Sequence, residues 1–368
     1  MRDGRQAWQG WSKLWMIAAF VAACGAGDGT IATPGTPLTR LESGDSLPAI
    51  ARVAAYSGAL PCAKCSAIET TLLLHPDGSY RMRELHVGDD APNVFVSVGR
   101  WSYRADSVPR VTLFTAGTPR QFALPDALTL IALDSSGKAI ESNEPQTLTR
   151  VVAPSTLDGV VRVRGEFRYF ADASTLVECT GGTLFPVAGD SAMVRLQRAY
   201  RENVLGAGAS VILQMMGRLQ PRPGGKSGSR PETLVVDSFT VEPPRSTCEA
   251  TRVRATAAIG DWQLRSLDGT ALPELTRELQ PTLRFVLNEP MMAGNAGCNR
   301  FTGRPVLRGL DLSPSALAIT RRICADSLAN QRETRYARVL ESGGWFRLED
   351  TTLILSSGGV ERARFSPR

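Results

Sequence analysis

Short stretches with apolar residues at every second position, separated by turn residues, are the feature that most limits how this chain can fold. Ile68, Thr70, Leu72 and Leu74 share one face, Pro76-Asp77-Gly78 follows, and the chain returns over residues 80–85. This spacing predicts a β-hairpin. Further short strands are expected at residues 95–103, 110–115, 120–124 and 128–134. Such a series predicts a mostly β protein built on a small barrel or sandwich.

The N-terminal segment has the pattern of an export signal. A basic stretch precedes an apolar run, residues 14–23, which is too short to cross a hydrocarbon core of about 30 Å as a helix. The run ends in Val21-Ala22-Ala23-Cys24, which resembles a bacterial lipobox. We therefore predict a lipoprotein signal peptide over residues 1–23, acylation of Cys24, and anchoring in the outer membrane facing the periplasm. A plain signal peptide with an incidental cysteine is the alternative.

Composition divides the rest of the chain into a tether and three units. Residues 24–50 are rich in Gly, Thr, Pro and Ser, which predicts a flexible tether. The three β-rich units are expected over residues 51–150, 155–249 and 258–368. A linker is expected across residues 143–159, where turn-forming and polar residues cluster.

Helical spacing interrupts the strands of the second and third units, so the whole chain is expected to be mostly β with an α+β third unit. The second unit has a predicted helix over Ser191–Asn203 and a polar, mobile hairpin loop over residues 220–233. A small sheet with one helix suits an oligonucleotide/oligosaccharide-binding (OB) type of barrel. The third unit has a helix that ends at Gly343-Gly344. The apolar residues of this helix are Leu328, Tyr336, Val339 and Leu340.

Charge and motif content exclude two broad functional classes. The 368 residues carry 42 Lys+Arg and 36 Asp+Glu, a net charge of +6, with no dense basic run interleaved with aromatic residues. Nucleic-acid binding is therefore not expected. No nucleophile–histidine set, metalloprotease motif or phosphate loop stands in its usual context. We expect no catalytic residues and a protein that is not an enzyme.

The cysteines predict disulfides. Acylation of Cys24 leaves six of the seven cysteines, an even number in an exported chain, where disulfides persist. Six thiols allow fifteen pairings, and pairing within each unit is the simplest. The cysteines of the second and third units are Cys179, Cys248, Cys298 and Cys324.

Cys62 and Cys65 form a Cys-x-x-Cys pair that precedes a strand pattern rather than a helix. This context argues against a dithiol oxidoreductase, whose reactive thiol gains from a helix N-terminus. Two interpretations remain: a structural or redox-responsive disulfide, or a pair of thiolates that contacts Cu(I), a soft ion suited to sulfur. A four-ligand zinc site is not expected, because the chain has only two histidines, His75 and His86. Both are interpreted as solvated turn residues.

Three segments resemble known families. The stretch YSGALPCAKCSAIETTLLLHPDGSYRMRELHVG resembles the N-terminal domain of the NlpE family of copper-homeostasis and adhesion lipoproteins through its Leu-Pro-Cys-x-x-Cys, Ile-Glu-Thr and Asp-Gly landmarks. The stretch GEFRYFADASTLVECTGGTLFPVAGDSAMVRLQRAYRE resembles the C-terminal domain of that family, so the likeness covers residues 53–248. GNAGCNRFTG and RRICADSLANQRETRYARVL are similar to the META/HslJ-type domain.

The NlpE resemblance implies a lipocalin-like barrel followed by an OB-type barrel. It also implies an outer-membrane lipoprotein linked to copper tolerance, surface sensing and envelope-stress signalling, in which a Cys179–Cys248 bridge reports oxidative folding. We therefore expect a non-enzymatic sensor or interaction module, held to outer-membrane lipid by its acyl chains. Cu(I) is the expected small ligand and an envelope-stress sensor kinase the expected partner. The alternatives are a lipocalin-like carrier of a small apolar ligand and a passive structural lipoprotein.

Overall fold

The computed structural model describes residues 53–88, 93–105, 107–144, 146–154, 157–206, 208–221, 232–244, 246–286, 291–322, 324 and 327–368. These residues all belong to one compact unit, Leu41–Arg368. The predicted signal peptide, Cys24 and the tether lie outside the described residues. Within the described ranges, no helix combines the length and the apolar character needed to span a membrane.

Eight antiparallel strands close a first barrel, in which each strand pairs with the next and the last returns to the first. The hairpin predicted around Pro76-Asp77-Gly78 is confirmed. The strands are β1 (Ala54–Leu60), β2 (Ala67–Leu74), β3 (Ser79–Val87), β4 (Asn93–Arg104), β5 (Arg110–Phe114), β6 (Arg120–Asp126), β7 (Thr129–Leu133) and β8 (Thr147–Val151).

Strand β8 corrects the expectation of a linker over residues 143–159. Its one fully buried side chain, Leu148, gives a weak local pattern, but β8 pairs with β1 on one side and β7 on the other. Closure of the barrel therefore uses a segment that the turn-forming residues on either side of it had marked as a linker.

The interior of the first barrel is filled by side chains. The largest that are fully buried are Trp101, Tyr80 and Phe122. The other core members include Tyr56, Leu72, Met82, Tyr103, Val111, Leu113, Leu130 and Leu148. An eight-stranded barrel is just wide enough for such filling.

A five-stranded second barrel follows, with strand order β9-β10-β11-β13-β12 and closure of β12 onto β9. Its strands are β9 (Val160–Phe170), β10 (Ala173–Glu178), β11 (Leu184–Ala188), β12 (Val211–Pro221) and β13 (Glu232–Val241). Helix α1, Ser191–Asn203, has the predicted bounds and packs through Ala192, Leu196 and Tyr200. Most of the loop predicted to be mobile, residues 222–231, lies outside the described residues.

The third unit has its own core, formed by two helices on an antiparallel sheet. Helix α2 (Glu249–Ile259) was not predicted, because its sequence has little amphipathic contrast, yet Ala250, Val253 and Ala257 belong to this core. Helix α3 (Ser327–Ser342) ends before Gly343 as predicted. The strands are β14 (Asp261–Leu267), β15 (Thr270–Ala271), β16 (Thr282–Val286), β17 (Met291–Asn295), β18 (Arg300–Gly303), β19 (Leu307–Arg308), β20 (Asp311–Leu312), β21 (Leu317–Ile319), β22 (Gly344–Glu349), β23 (Thr352–Ser357) and β24 (Val360–Pro367).

The predicted apolar face of α3 was correct except at its start. Tyr336, Val339 and Leu340 are buried in the third core, whereas Leu328 is 65% exposed. Leu328 lies in the first turn of the helix.

Candidate redox and metal site

The hairpin register brings His86 to the two cysteines of the Cys-x-x-Cys pair. Strands β2 and β3 pair so that Ile68 lies opposite His86, and the amide of Ser66 continues the ladder by donating to the carbonyl of Val87 at 2.8 Å. Cys65 immediately precedes this bond. This hydrogen bond holds the turn that carries both cysteines beside the end of β3.

Three potential ligand atoms meet at this end of the barrel. The sulfurs of Cys62 and Cys65 and a ring nitrogen of His86 all lie within 4.8 Å of one another, and all three residues are half-buried. The two sulfurs are bonded as a disulfide, with 5.2 Å between the Cα atoms. The edge of the His86 ring packs on Phe95, with 6.0 Å between ring centroids, which orients the imidazole.

Gly88 makes the close approach of the two loops possible. Its φ of +92° lies in the left-handed region, and a Cβ at this position would lie 2.6 Å from Oγ of Ser66. Only glycine adopts this backbone conformation without strain and leaves room for Ser66.

The donor set fits Cu(I) once the disulfide is reduced. Two thiolates and one imidazole suit a soft, low-coordinate ion, whereas a structural zinc site takes four ligands. The same three side chains therefore support either a redox-responsive disulfide or, after reduction, a copper site.

The structure corrects the interpretation of both histidines as solvated turn residues. His86 lies in strand β3 beside the sulfurs, and pairing counted outward from the Asp77-Gly78 turn is the signal that would have found it. His75 is half-buried, and its Nε2 is shielded from solvent without a hydrogen-bond partner in the described part of the chain. Burial, followed by the nearby Arg81 guanidinium, lowers the pKa of His75.

His75 cannot join the cysteine site because it lies at the other end of the barrel. It follows the last residue of β2, whereas Cys62 and Cys65 precede the first. The eight residues of β2 extend over about 27 Å at ~3.4 Å per residue.

The other four cysteines pair within their units. Cys179 is bonded to Cys248, with 4.6 Å between Cα atoms, and Cys298 is bonded to Cys324, with 6.0 Å between them. Beside the second pair, the carboxylate of Glu333 accepts hydrogen bonds from the amides of Cys298 at 3.1 Å and Asn299 at 2.8 Å. Cys24, the predicted acylation site, lies outside the described residues.

A cleft of about 420 Å³ opens at the barrel end that carries Cys62 and Cys65. Its apolar lining includes Leu60, Pro61, Phe122, Leu133 and Ile140. Because the barrel interior is packed, this cleft is confined to the mouth.

Comparison with known proteins identifies the parts of the chain. A family model described as the NlpE N-terminal domain matches residues 56–143, the NlpE C-terminal OB domain matches residues 158–249, and the META domain matches residues 255–368. Lipoprotein NlpE of Escherichia coli strain K12 is 32% identical over 198 residues, which are 53% of this chain and 80% of that protein. Heat shock protein HslJ of the same strain is 30% identical over 94 residues, which are 26% of this chain and 64% of HslJ. Among solved structures, that of the Cpx pathway activator NlpE from Escherichia coli is 29% identical and covers 53% of this chain and 97% of its own, with a TM-score of 0.24.

Proposed function

The chain belongs to the NlpE family of lipoproteins, and from this membership we propose that it is a lipid-anchored, non-enzymatic signalling protein of the bacterial envelope. The Escherichia coli relative of known structure is a Cpx pathway activator, and the proposal extends that role to this chain, with an envelope-stress sensor kinase as its partner. Acyl chains on Cys24 hold the protein to the outer membrane, facing the periplasm.

The convergence of Cys62, Cys65 and His86 is the observation that carries the sensing part of the proposal. In the oxidised chain the sulfurs are bonded to each other and are not available to a metal. A dithiol reductant supplies two electrons and two protons, is itself oxidised to a disulfide, and leaves two thiols. The two sulfurs of Cys62 and Cys65, with their protons released, and the imidazole nitrogen of His86 would then hold Cu(I).

The buried Cys179–Cys248 bond supports a second input, the oxidative-folding state of the chain. The bond closes a loop with a sequence separation of 69, and Cys179 and Cys248 are 4% and 2% exposed. Because long loops gain most from closure, a chain that reaches the periplasm without forming this bond has a weaker second barrel.

A transcription reporter for the Cpx response tests the signalling role. Escherichia coli lacking its own NlpE would carry the full chain, the Cys62→Ser/Cys65→Ser variant, or the Cys298→Ser/Cys324→Ser variant as matched control. We expect copper to raise reporter output with the wild type and the control, and not with the first variant. Equal output with and without the chain would refute the signalling role and leave the two alternatives, a carrier of a small apolar ligand and a passive structural lipoprotein.

Acylation has a direct measurement. Labelled palmitate should be incorporated into the wild-type chain and not into a Cys24→Ala variant, which should also leave the membrane fraction. Incorporation into neither would refute the lipid anchor.

The cleft at the barrel mouth favours one second candidate, a carrier of a small apolar ligand. Its apolar lining and volume of about 420 Å³ suit a small molecule. The packed barrel interior argues against a ligand held inside, as in a true carrier. Saturable binding of a fluorescent fatty acid to the full chain, lost in an Ile140→Glu variant, would support the carrier. Absence of saturable binding to the wild type would refute it.

A further inference from the structure

Strand β4 of the first barrel contacts both other domains. Near its start, Phe95 and Val96 pair in parallel with Val160 and Val161 of β9. Near its end, Tyr103 pairs with Val360 of β24, and the Tyr103 amide donates to the carbonyl of Gly359 at 2.6 Å. The second barrel and the META domain are therefore docked on the same strand.

Arg100, between these two points, lies where all three domains meet. It is 2% exposed, and its guanidinium donates to the Asp311 carboxylate of the META domain at 2.5 Å. Its Nε donates to the carbonyl of Gly181 in the second barrel at 3.3 Å, and its other amino group to the carbonyl of Asp77 at 3.2 Å. Its guanidinium also lies over the ring of Trp345, 5.8 Å from the centroid.

The loop whose Gly181 carbonyl accepts the hydrogen bond from Arg100 joins β10 to β11 and also carries Cys179. The Glu178 carboxylate organises it by accepting from the amides of Thr180 at 2.7 Å and Gly181 at 2.5 Å. At Gly182, which has a φ of +67°, a Cβ would overlap Leu310 of the META domain. The backbone of this loop is thus pressed between the first barrel and the META domain.

The disulfide joins this loop to the META core. Cys248 directly precedes α2, and the amide of Ala250 in α2 donates to the carbonyl of Cys179 at 2.8 Å. The buried face of α2 belongs to the META core. One covalent bond therefore ties a helix of the META core to the loop that Arg100 holds.

The direct contact between the first barrel and the META domain includes an exposed ion pair, Arg104–Glu349 at 3.6 Å, and leaves some buried polar groups unpaired. Trp345 packs edge-on against Phe114, with 5.7 Å between centroids, and Arg347 lies over Phe114 at 5.3 Å. Trp345 Nε1 and Arg347 Nε are buried there without a hydrogen-bond partner among the described residues. Buried polar groups without partners disfavour the docked state, so docking depends on the constraints around it.

We propose that the Cys179–Cys248 disulfide is a latch that keeps the META domain docked on the first barrel, and that a chain without this bond releases the domain and uncovers the face around Phe114. Opening the bond consumes two electrons and two protons from a dithiol, which becomes a disulfide, and yields two thiols. Because both cysteines are buried, the latch is set when the chain folds after export. The physiological trigger rests on the proposed function, whereas the docking itself does not.

Hydrogen–deuterium exchange of the full chain in detergent micelles, read by mass spectrometry, tests the latch. The informative amide is that of Tyr103, since its acceptor is a META carbonyl. In Cys179→Val/Cys248→Ala we expect this amide to exchange at least about tenfold faster than in the wild type, with β23 of the META core still protected. The matched control, Cys298→Ala/Cys324→Ala, lacks a disulfide inside the META domain and should keep Tyr103 protected.

A second variant tests the path through the junction. Arg100→Ala keeps the disulfide but loses the contacts to Gly181 and Asp311, and we expect it to speed exchange at Tyr103 as well. Unchanged exchange at Tyr103 in Cys179→Val/Cys248→Ala would overturn the latch. Complete loss of protection in β12 and β13 of that variant would also overturn it, because the bond would then be required for the second barrel itself. A Cpx reporter response without faster exchange would remove the latch and leave the proposed function standing.

Discussion

Ile68 of β2 lies directly opposite His86 of β3, and this register places the imidazole beside the sulfurs of Cys62 and Cys65. A shift of one residue would turn the His86 side chain to the other face of the sheet. The candidate copper site is therefore a product of strand pairing, and the Asp77-Gly78 turn sets that pairing from the far end of the hairpin.

Removal of His86 should weaken copper binding. We expect His86→Ala to lower the Cu(I) affinity of the reduced chain at least about tenfold. Even the loss of a residue that only supports a metal ligand lowers metal affinity by about tenfold or more. The measurement is anaerobic competition with a chromophoric Cu(I) chelator. His75→Ala is the matched control and should bind as the wild type does, because His75 lies at the opposite end of β2. Equal loss in both variants would contradict the assignment of His86.

Loss of the long disulfide should cost more stability than loss of the short one. In the chain-entropy model, a loop with a separation of 69 contributes roughly 4 kcal/mol and one with a separation of 3 about 2 kcal/mol. Cys179→Ala/Cys248→Ala should therefore reduce the protection of β12 and β13 more than Cys62→Ala/Cys65→Ala reduces that of β1 and β2. Native-state hydrogen exchange in increasing urea measures both. The reverse order would show that strain or residual structure outweighs loop closure.

Acid should weaken the second barrel through Glu242. Its carboxylate accepts two hydrogen bonds from Arg164, both of 2.8 Å, and these lower the pKa of Glu242 from 4.5 to about 2. A depressed carboxyl pKa adds stability above the unfolded value, so this contribution is complete above about pH 4.5 and is lost as the pH falls toward about 2.

The test is the unfolding midpoint of the full chain measured from pH 6 down to pH 3. This range begins above the pH at which the contribution of Glu242 is complete and extends into the range where it is lost. Glu242→Gln should flatten the acid side of the profile and lower stability at the neutral end. Glu249→Gln, which removes an exposed pair with Arg252, should leave the profile as in the wild type. A profile that Glu242→Gln does not change would mean that other carboxyl groups dominate the acid response.

Arg81 of β3 and Glu232 of β13 form an ion pair, and removing Glu232 should cost more stability than removing Arg81. The Arg81 side chain is 8% exposed and that of Glu232 is 27% exposed. Glu232→Gln leaves a buried cation without its counterion and should cost about 3 kcal/mol, the lower end for a broken buried pair. Arg81→Met should cost less, because the remaining carboxylate can be hydrated.

Urea unfolding of the two single variants and the double variant completes this comparison. The double variant should recover part of the stability that Glu232→Gln loses, since it no longer buries an unpaired charge. Additive losses would mean that the two side chains do not interact across the boundary between the first and second barrels.

Local patterns were sufficient for much of the fold. The mostly β class, the first hairpin and the bounds of α1 are confirmed, as is the resemblance to the NlpE and META families. Helix α2 and strand β8 were missed for a common reason. Neither has a strong periodic pattern, and each is stabilised by partners that are distant in sequence.

The amino-acid order alone determined the alternating strands, the end of α3 at Gly343 and the even number of cysteines left after Cys24, because these depend on neighbouring residues and on composition. Only the tertiary structure decided that His86 joins the Cys62–Cys65 pair and that Arg100 meets both Gly181 and Asp311. Those relationships arise from strand register and domain docking, in which each contact joins segments that no local pattern connects.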